Sequence, residues 1–185
     1  MTTSVRITLE TQADVLARDA LLDAALGPAR RTKTSERLRE GRLPAQGLAF
    51  SAKDGTKLVG TIRLWHVAAG NVPALLLGPL AIAKSHEGLG IGSRLVQHAL
   101  AEATRLGHKA VLLVGDAPYY ARFGFNCAKT QNLLLPGPVD RERFLGLELT
   151  PESLAAASGL LVATGEKQPL LRRSARSTAL ERKAA

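Results

Sequence analysis

Residues 86–95 read "HEGLGIGSRL", three glycines at alternate positions between an apolar run and a helical pattern. The run before them, "PALLLGPLAIA" at 73–83, is apolar on both faces, as a central strand would be. After them Ile91, Leu95, Val96, Ala99, Leu100, Ala103 and Leu106 recur at helical spacing as far as Gly107. Strand, glycine loop and helix in that order place free backbone N–H groups at a helix start, where the helix dipole also attracts an anion. Glycines let a pyrophosphate approach the backbone without meeting Cβ atoms, and Ser93 adds a hydroxyl in the first turn. Two familiar phosphate loops are excluded on residues. A Walker loop needs Lys and then Ser or Thr after its last glycine, and here Gly92 is followed by Ser93 and Arg94. A dinucleotide loop needs G-x-G-x-x-G near the first strand, whereas here G-x-G-x-G follows a fourth strand. As a bare loop the stretch fits a phosphate seat and a structural turn equally.

Working outward, "SVRITLET" alternates Val5, Ile7 and Leu9 with Arg6, Thr8 and Glu10 and predicts a first strand. Val15, Leu16, Ala20, Leu22 and Leu26 predict a helix closed by Gly27-Pro28, and Lys33–Glu40 a shorter second one. "GLAFSA" and "KLVGTIRLWHV" predict two strands joined at Asp54-Gly55, a hairpin signal. In the second of them, Leu58, Ile62 and Leu64 share one face while Lys57, Thr61 and Arg63 share the other. Gly78-Pro79 sits awkwardly inside the strand at 73–83, because proline cannot donate to a ladder; a bulge or a local splaying accommodates it. "KAVLLVGD" predicts another buried strand, and "APYYARFGF" a short helical turn. "RFLGLELT" and "GLLVAT" predict late strands around a short helix, "PESLAAAS", opened by Thr150 and Pro151. The expected order is βααβββαβαβαβ.

The 185 residues suit one domain with a proper core. No stretch approaches the roughly 20 apolar residues of a membrane span. "MTTSVRITLE" lacks the apolar centre of a secretory signal, and one cysteine, Cys127, excludes an internal disulfide and a cysteine-rich metal site. These features favour the cytoplasm. The net charge of +9 is uneven: residues 30–42 and 170–185 carry eight of the nine excess positive charges. Such segments attract polyanions or form solvated faces, and the second reading is favoured here. No aromatic residues interleave the basic tail and no recognition motif appears, so nucleic acid is not an expected partner.

Taken together, "LAIAKSHEGLGIGSRLV" and the later "YYARFGF" resemble the GNAT superfamily of acyl-CoA-dependent N-acyltransferases. Leu80, Ala81 and Ile82 match that family's strand end, Gly90 and Gly92 its glycine pair, and Tyr119 to Phe125 its downstream aromatic motif. "GDAPYYARFGF" looks most like the YhbS-type predicted bacterial acetyltransferases. The resemblance implies an α/β (α+β) fold with a mixed, splayed central sheet of about six to seven strands and helices on both faces. It implies one domain over residues 1–165 and a basic tail at 166–185. The sheet would open between the strands at 74–83 and 109–115, with a pantetheine arm pairing with backbone near Leu80, Ala81 and Ile82. The pyrophosphate would rest on the N–H groups of Glu87, Gly88, Leu89, Gly90, Ile91, Gly92 and Ser93, with Tyr120 and Phe123 beside the cofactor. Acetyl-CoA is the expected co-substrate, with no metal. One position departs from the family: Glu87 stands where Gln or Arg is usual, and its carboxylate would repel a pyrophosphate unless it points to solvent. His86, Lys84 and Arg94 could offset that charge.

Backbone N–H groups around Leu80–Ile82 are placed to bind a developing oxyanion. Tyr120 occupies the family's general-acid position, and a phenol near pKa 10 can serve a departing thiolate; the alternative is packing beside the cofactor. Tyr119 reads as a packing residue. No general base is identified. Asp116 reads first as a helix cap, His66 as a strand residue that could face the cleft, His98 and His108 as exposed, and Cys127 as a buried thiol rather than a nucleophile. The basic helices at 14–42 would cover the acceptor site, as a solvated face or as a surface for an anionic acceptor or the cofactor's 3′-phosphate. The expected activity is acetyl transfer to a primary amine of a small molecule or peptide by direct attack on the thioester. A longer acyl donor and a degenerate CoA-sensing domain are the alternatives, and a homodimer is left open.

Overall fold

The computed structural model describes residues 4–169. Its frame is one mixed sheet of eight strands: β1 (Val5–Leu9), β2 (Ala49–Asp54), β3 (Lys57–Ala69), β4 (Val72–Ile82), β5 (Ala110–Val114), β6 (Leu133–Leu134), β7 (Phe144–Glu148) and β8 (Gly159–Ala163). They lie in the order β1-β2-β3-β4-β5-β7, with β8 pairing β3 and β6 off that path. The strand beyond the six to seven expected, β6, is two residues long, too short to carry a readable period. Among the described residues three α-helices accompany the sheet: α1 (Val15–Leu26), α2 (Ile91–Arg105) and α3 (Ala117–Ala121).

The sheet is covered on both faces. On one, Phe50, Ile62, Leu64, Leu75 and Leu77 pack with Ile91, Leu95, Val96 and Ala99 of α2. Gly60 permits this: a Cβ there would meet Leu95 and Ile82 side chains at 3.0 Å. On the other face Trp65, Val67, Leu76 and Leu112 pack with Leu38, Phe144 and Leu154. Thr61 is fully buried there rather than exposed with Lys57.

The first helix differs from its apolar pattern. Leu16 is 85% exposed, while Arg18 and Leu22 are the buried residues of α1. The helix expected over 33–40 is instead a 3₁₀ segment, Thr34–Leu38, preceded by another, Pro28–Thr32. In place of the helix expected over "PESLAAAS", residues 151–156 form turns, with Glu152 at φ 62°. After β8 the chain stays attached: Leu43 N–H donates to the Glu166 carbonyl and Gln168 N–H to that of Gly41. The basic tail at 170–185 lies outside the described residues.

The middle of the sheet positions the site. Strands β4 and β5 run parallel but pair only at Leu75–Val111 and Leu76–Leu112. Beyond Leu76 the two strands diverge, which is the expected splay. On its other edge β4 pairs β3 throughout, with a register skip between Ile62–Leu80 and Leu64–Leu77. The skip contains Gly78-Pro79, whose peptide is cis, so the awkward dipeptide is accommodated by a bulge.

Candidate active site

Backbone direction along β4 decides which groups face the opening. The Ala83 N–H donates to the Val59 carbonyl at 2.8 Å, so this edge of the ladder faces β3. Alternation along an antiparallel strand turns the Ala81 N–H the same way and those of Leu80 and Ile82 toward the gap left by β5. Pro79 has no N–H to offer. Of the three residues expected there, two thus present free donors.

At the end of β4 a 3₁₀ turn, Lys84–His86, leads into the glycine loop. Among the described residues no N–H from Gly88 to Ser93 has a backbone acceptor; the first α2 donor outside the helix interior to find one is that of Arg94, to the Gly90 carbonyl. Gly88 and Gly90 hold φ of +76° and +72°, and nothing lies within 4 Å of a Cβ built on either. Free donors, open space and a helix start make the loop fit a pyrophosphate. The Glu87 side chain is exposed and does not intrude. Of the three neighbours expected to offset its charge, two are otherwise engaged: His86 is buried with Nε2 3.3 Å from Asp54, and Arg94 donates to the Val5 carbonyl, while Lys84 is exposed beside the loop.

Across the gap α3 begins at Asp116, whose carboxylate accepts the Tyr119 N–H at 3.1 Å, the expected cap. The Tyr120 ring lies directly on Gly115, where a Cβ would stand 2.4 Å from its Cε2. It packs edge-on to Tyr119 and Phe125, with Phe123 nearby. Burial, reinforced by Tyr119 and Asp116, pushes the Tyr120 phenol well above its ordinary value of 10. Tyr119 packs against Tyr120 and Phe123, and its hydroxyl stands 2.9 Å from where a Gly92 Cβ would be, at the glycine loop.

On the opposite side of β4 lies a cleft of about 640 Å³, lined by α1, the two 3₁₀ segments, β3 and Pro79. Trp65 Nε1 donates to the Gly78 carbonyl at 2.5 Å and so fixes the bulge from this side. Arg63 stacks over the Trp65 ring and pairs with Glu10, which also accepts from Arg18 at 2.5 Å. Arg39 and Arg30 are likewise buried in this wall, 8% and 9% exposed. The solvated basic face expected over residues 30–42 is thus, at these two positions, an interior one. Nothing in the periodicity signals them, because arginines in a polar stretch ordinarily face water.

A family model described as the acetyltransferase (GNAT) family matches residues 17–125. The chain belongs to the acetyltransferase (GNAT) family. It is 27% identical over 157 residues to the uncharacterized N-acetyltransferase YhbS of Escherichia coli K12, covering 84% of this chain and 93% of that one. The crystal structure of Escherichia coli YhbS in complex with CoA superposes with a TM-score of 0.75 at 26% identity, covering 88% of this chain and 91% of the other. A GNAT acetyltransferase from Brucella melitensis in complex with acetyl-CoA gives 0.66 at 23% identity, over 86% and 96%, and shows the same fold.

Four other residues sit away from the glycine loop and α3. His66 does not face it: the ring lies 5.3 Å from His108 in a separate cavity with Asn71 and Pro73, at the opposite end of β4 from the glycine loop. Burial and the nearby His66 hold His108 below the usual histidine range, and it is half-buried rather than exposed. His98, also half-buried, stands edge-on to Phe50. Cys127 is exposed, because it opens a surface 3₁₀ turn whose buried residue is Thr130. Among the described residues no group of three or more His, Cys, Asp or Glu is arranged to hold a metal, and no helix is long and apolar enough to cross a membrane.

Proposed function

We propose that this GNAT protein transfers the acetyl group of acetyl-CoA to a primary amine by direct attack on the thioester. The observation that carries the reading is the row of acceptor-free N–H groups from Gly88 to Ser93 beside the divergence of β4 from β5. Relatives of the same fold bound to CoA and acetyl-CoA support it. The N–H groups of Gly88 to Ser93 hold the pyrophosphate, that of Glu87 being engaged by the Lys84 carbonyl, and Leu80, Ala81 and Ile82 line the pantetheine arm. Phe123 backs the aromatic wall that Tyr120 presents.

Acetyl-CoA supplies an acyl group activated as a thioester. The amine enters from the arginine-lined cleft and its lone pair forms the new bond. The N–H groups of Leu80 and Ile82 stabilise negative charge on the acyl oxygen. As the C–S bond breaks, Tyr120 donates its O–H to the departing sulfur. The proton that the nitrogen loses on becoming an amide passes through solvent to the Tyr120 oxygen, restoring the phenol. The same burial that raises the phenol raises the proton affinity of a thiolate, so donor and acceptor shift together.

The test pairs acetyl-CoA calorimetry with thiol release. Tyr120→Phe is expected to lower turnover roughly 100-fold or more while acetyl-CoA affinity stays within a few-fold. The wild-type rate is expected to keep no alkaline limb from Tyr120 below about pH 10, because a raised pKa keeps the active, protonated form populated. Unchanged turnover removes the acid role from Tyr120; a loss in Tyr119→Phe alone transfers it to the hydroxyl at Gly92.

A further inference from the structure

Two arginines of the acceptor cleft have fewer partners than their burial calls for. Arg39 follows the 3₁₀ segment Thr34–Leu38, and its Nη2 meets Glu36 at 2.9 Å and Ser35 at 3.1 Å. Its Nε is fully buried with no hydrogen-bond partner, and its Nη1 has no acceptor among the described residues. Arg30 donates through Nε to Asp23 at 2.7 Å, and Asp23 is shared with Arg31. Arg30 stands near enough for its charge, added to burial, to pull the Arg39 guanidinium below the usual arginine value. A guanidinium stays charged even so, so two like charges face one cleft with donors to spare. By contrast Arg18 is saturated by Glu10 and Asp19.

The place is as informative as the charge. Arg39 Nη1 lies 3.4 Å from where a Cβ on Gly78 would stand, at the bulge of β4. Leu80, with the first free N–H facing the gap, is two residues further along, roughly 7 Å at strand spacing. We infer that the acceptor is a compact amine carrying its own anionic group, carboxylate or phosphate, held by Arg39 and Arg30 a few bonds from the reacting nitrogen. This rests on the acetyl-transfer reading and names its substrate class. Polyamines and long neutral amines lack the group that these arginines require, and entering them would leave the charges unpaired.

The experiment uses the full chain and matched amines: amino acids against their amides, and phosphoethanolamine against ethanolamine. In thiol release the anionic member of at least one pair is expected to be better in kcat/KM by roughly 10- to 100-fold, the size of a charge-assisted hydrogen bond. The two pairs distinguish carboxylate from phosphate. Arg39→Met is expected to abolish the preference through KM, with acetyl-CoA affinity unchanged, and Arg39→Lys to restore part of it. Thermal unfolding with the same amines and CoA reads binding without turnover: anionic members stabilise wild type and not Arg39→Met. Neutral or cationic amines preferred in turnover, no wild-type stabilisation by any anionic member, or equal stabilisation of both proteins overturns the inference. Loss of acetyl-CoA binding in wild type itself would instead sink the acetyl-transfer reading.

Discussion

On the glycine-loop side of β4 the groups that face the cleft are backbone donors, from Leu80 and Ile82 to the run Gly88–Ser93. On the bulge side they are side chains: Glu10, Arg18, Arg30, Arg39 and Arg63, several of them buried. The two sides therefore tolerate change differently. Backbone donors survive most substitutions that keep the loop's shape, which suits a ligand common to a whole family. Side chains can be exchanged one at a time, which suits an acceptor particular to one member.

The contrast breaks most visibly at Gly90. Its φ of +72° opposes a β-branched residue, and the methyl groups of Gly90→Val would cover the N–H row. Acetyl-CoA affinity is expected to fall roughly 100-fold by calorimetry, the loss of about two charge-assisted hydrogen bonds. Binding as tight as wild type would mean that the loop's backbone does not hold the cofactor. A smaller effect is expected at Gly115, where an added Cβ collides with the Tyr120 ring. Gly115→Ala should lower turnover about 10-fold or more by displacing the phenol, with acetyl-CoA binding nearly kept; retained turnover would show that the ring's position is not critical. The smallest effect belongs to Glu87. Because its side chain is exposed, Glu87→Gln should leave acetyl-CoA affinity unchanged or raise it by about 2- to 3-fold through relief of a screened repulsion. A marked loss would give that carboxylate a positive role.

The two sides were also unequally legible in the sequence. The glycine loop with the strand before it, and the aromatic motif after it, are each contiguous, so 80–96 and 119–125 reveal the fold and carry the proposed cofactor seat. Even the awkward Gly78-Pro79 dipeptide points to the bulge found there. The wall of the proposed acceptor cleft is assembled from positions 10, 18, 30, 39, 63 and 79, brought together only by the folding of α1 and the 3₁₀ segments over β3 and β4. Its arginines look like solvated ones because nothing local says which guanidinium will be buried. The same blindness to tertiary contact left open whether His66 faces the cleft and put Cys127 in the core.

The division of labour is tested most directly by titrating acetyl-CoA into Arg39→Met and Gly90→Val side by side with wild type. Arg39→Met is expected to bind acetyl-CoA as wild type does, and Gly90→Val roughly 100-fold more weakly. A loss in Arg39→Met together with unimpaired binding by Gly90→Val would contradict it, placing the cofactor's phosphates on the arginines instead of the backbone.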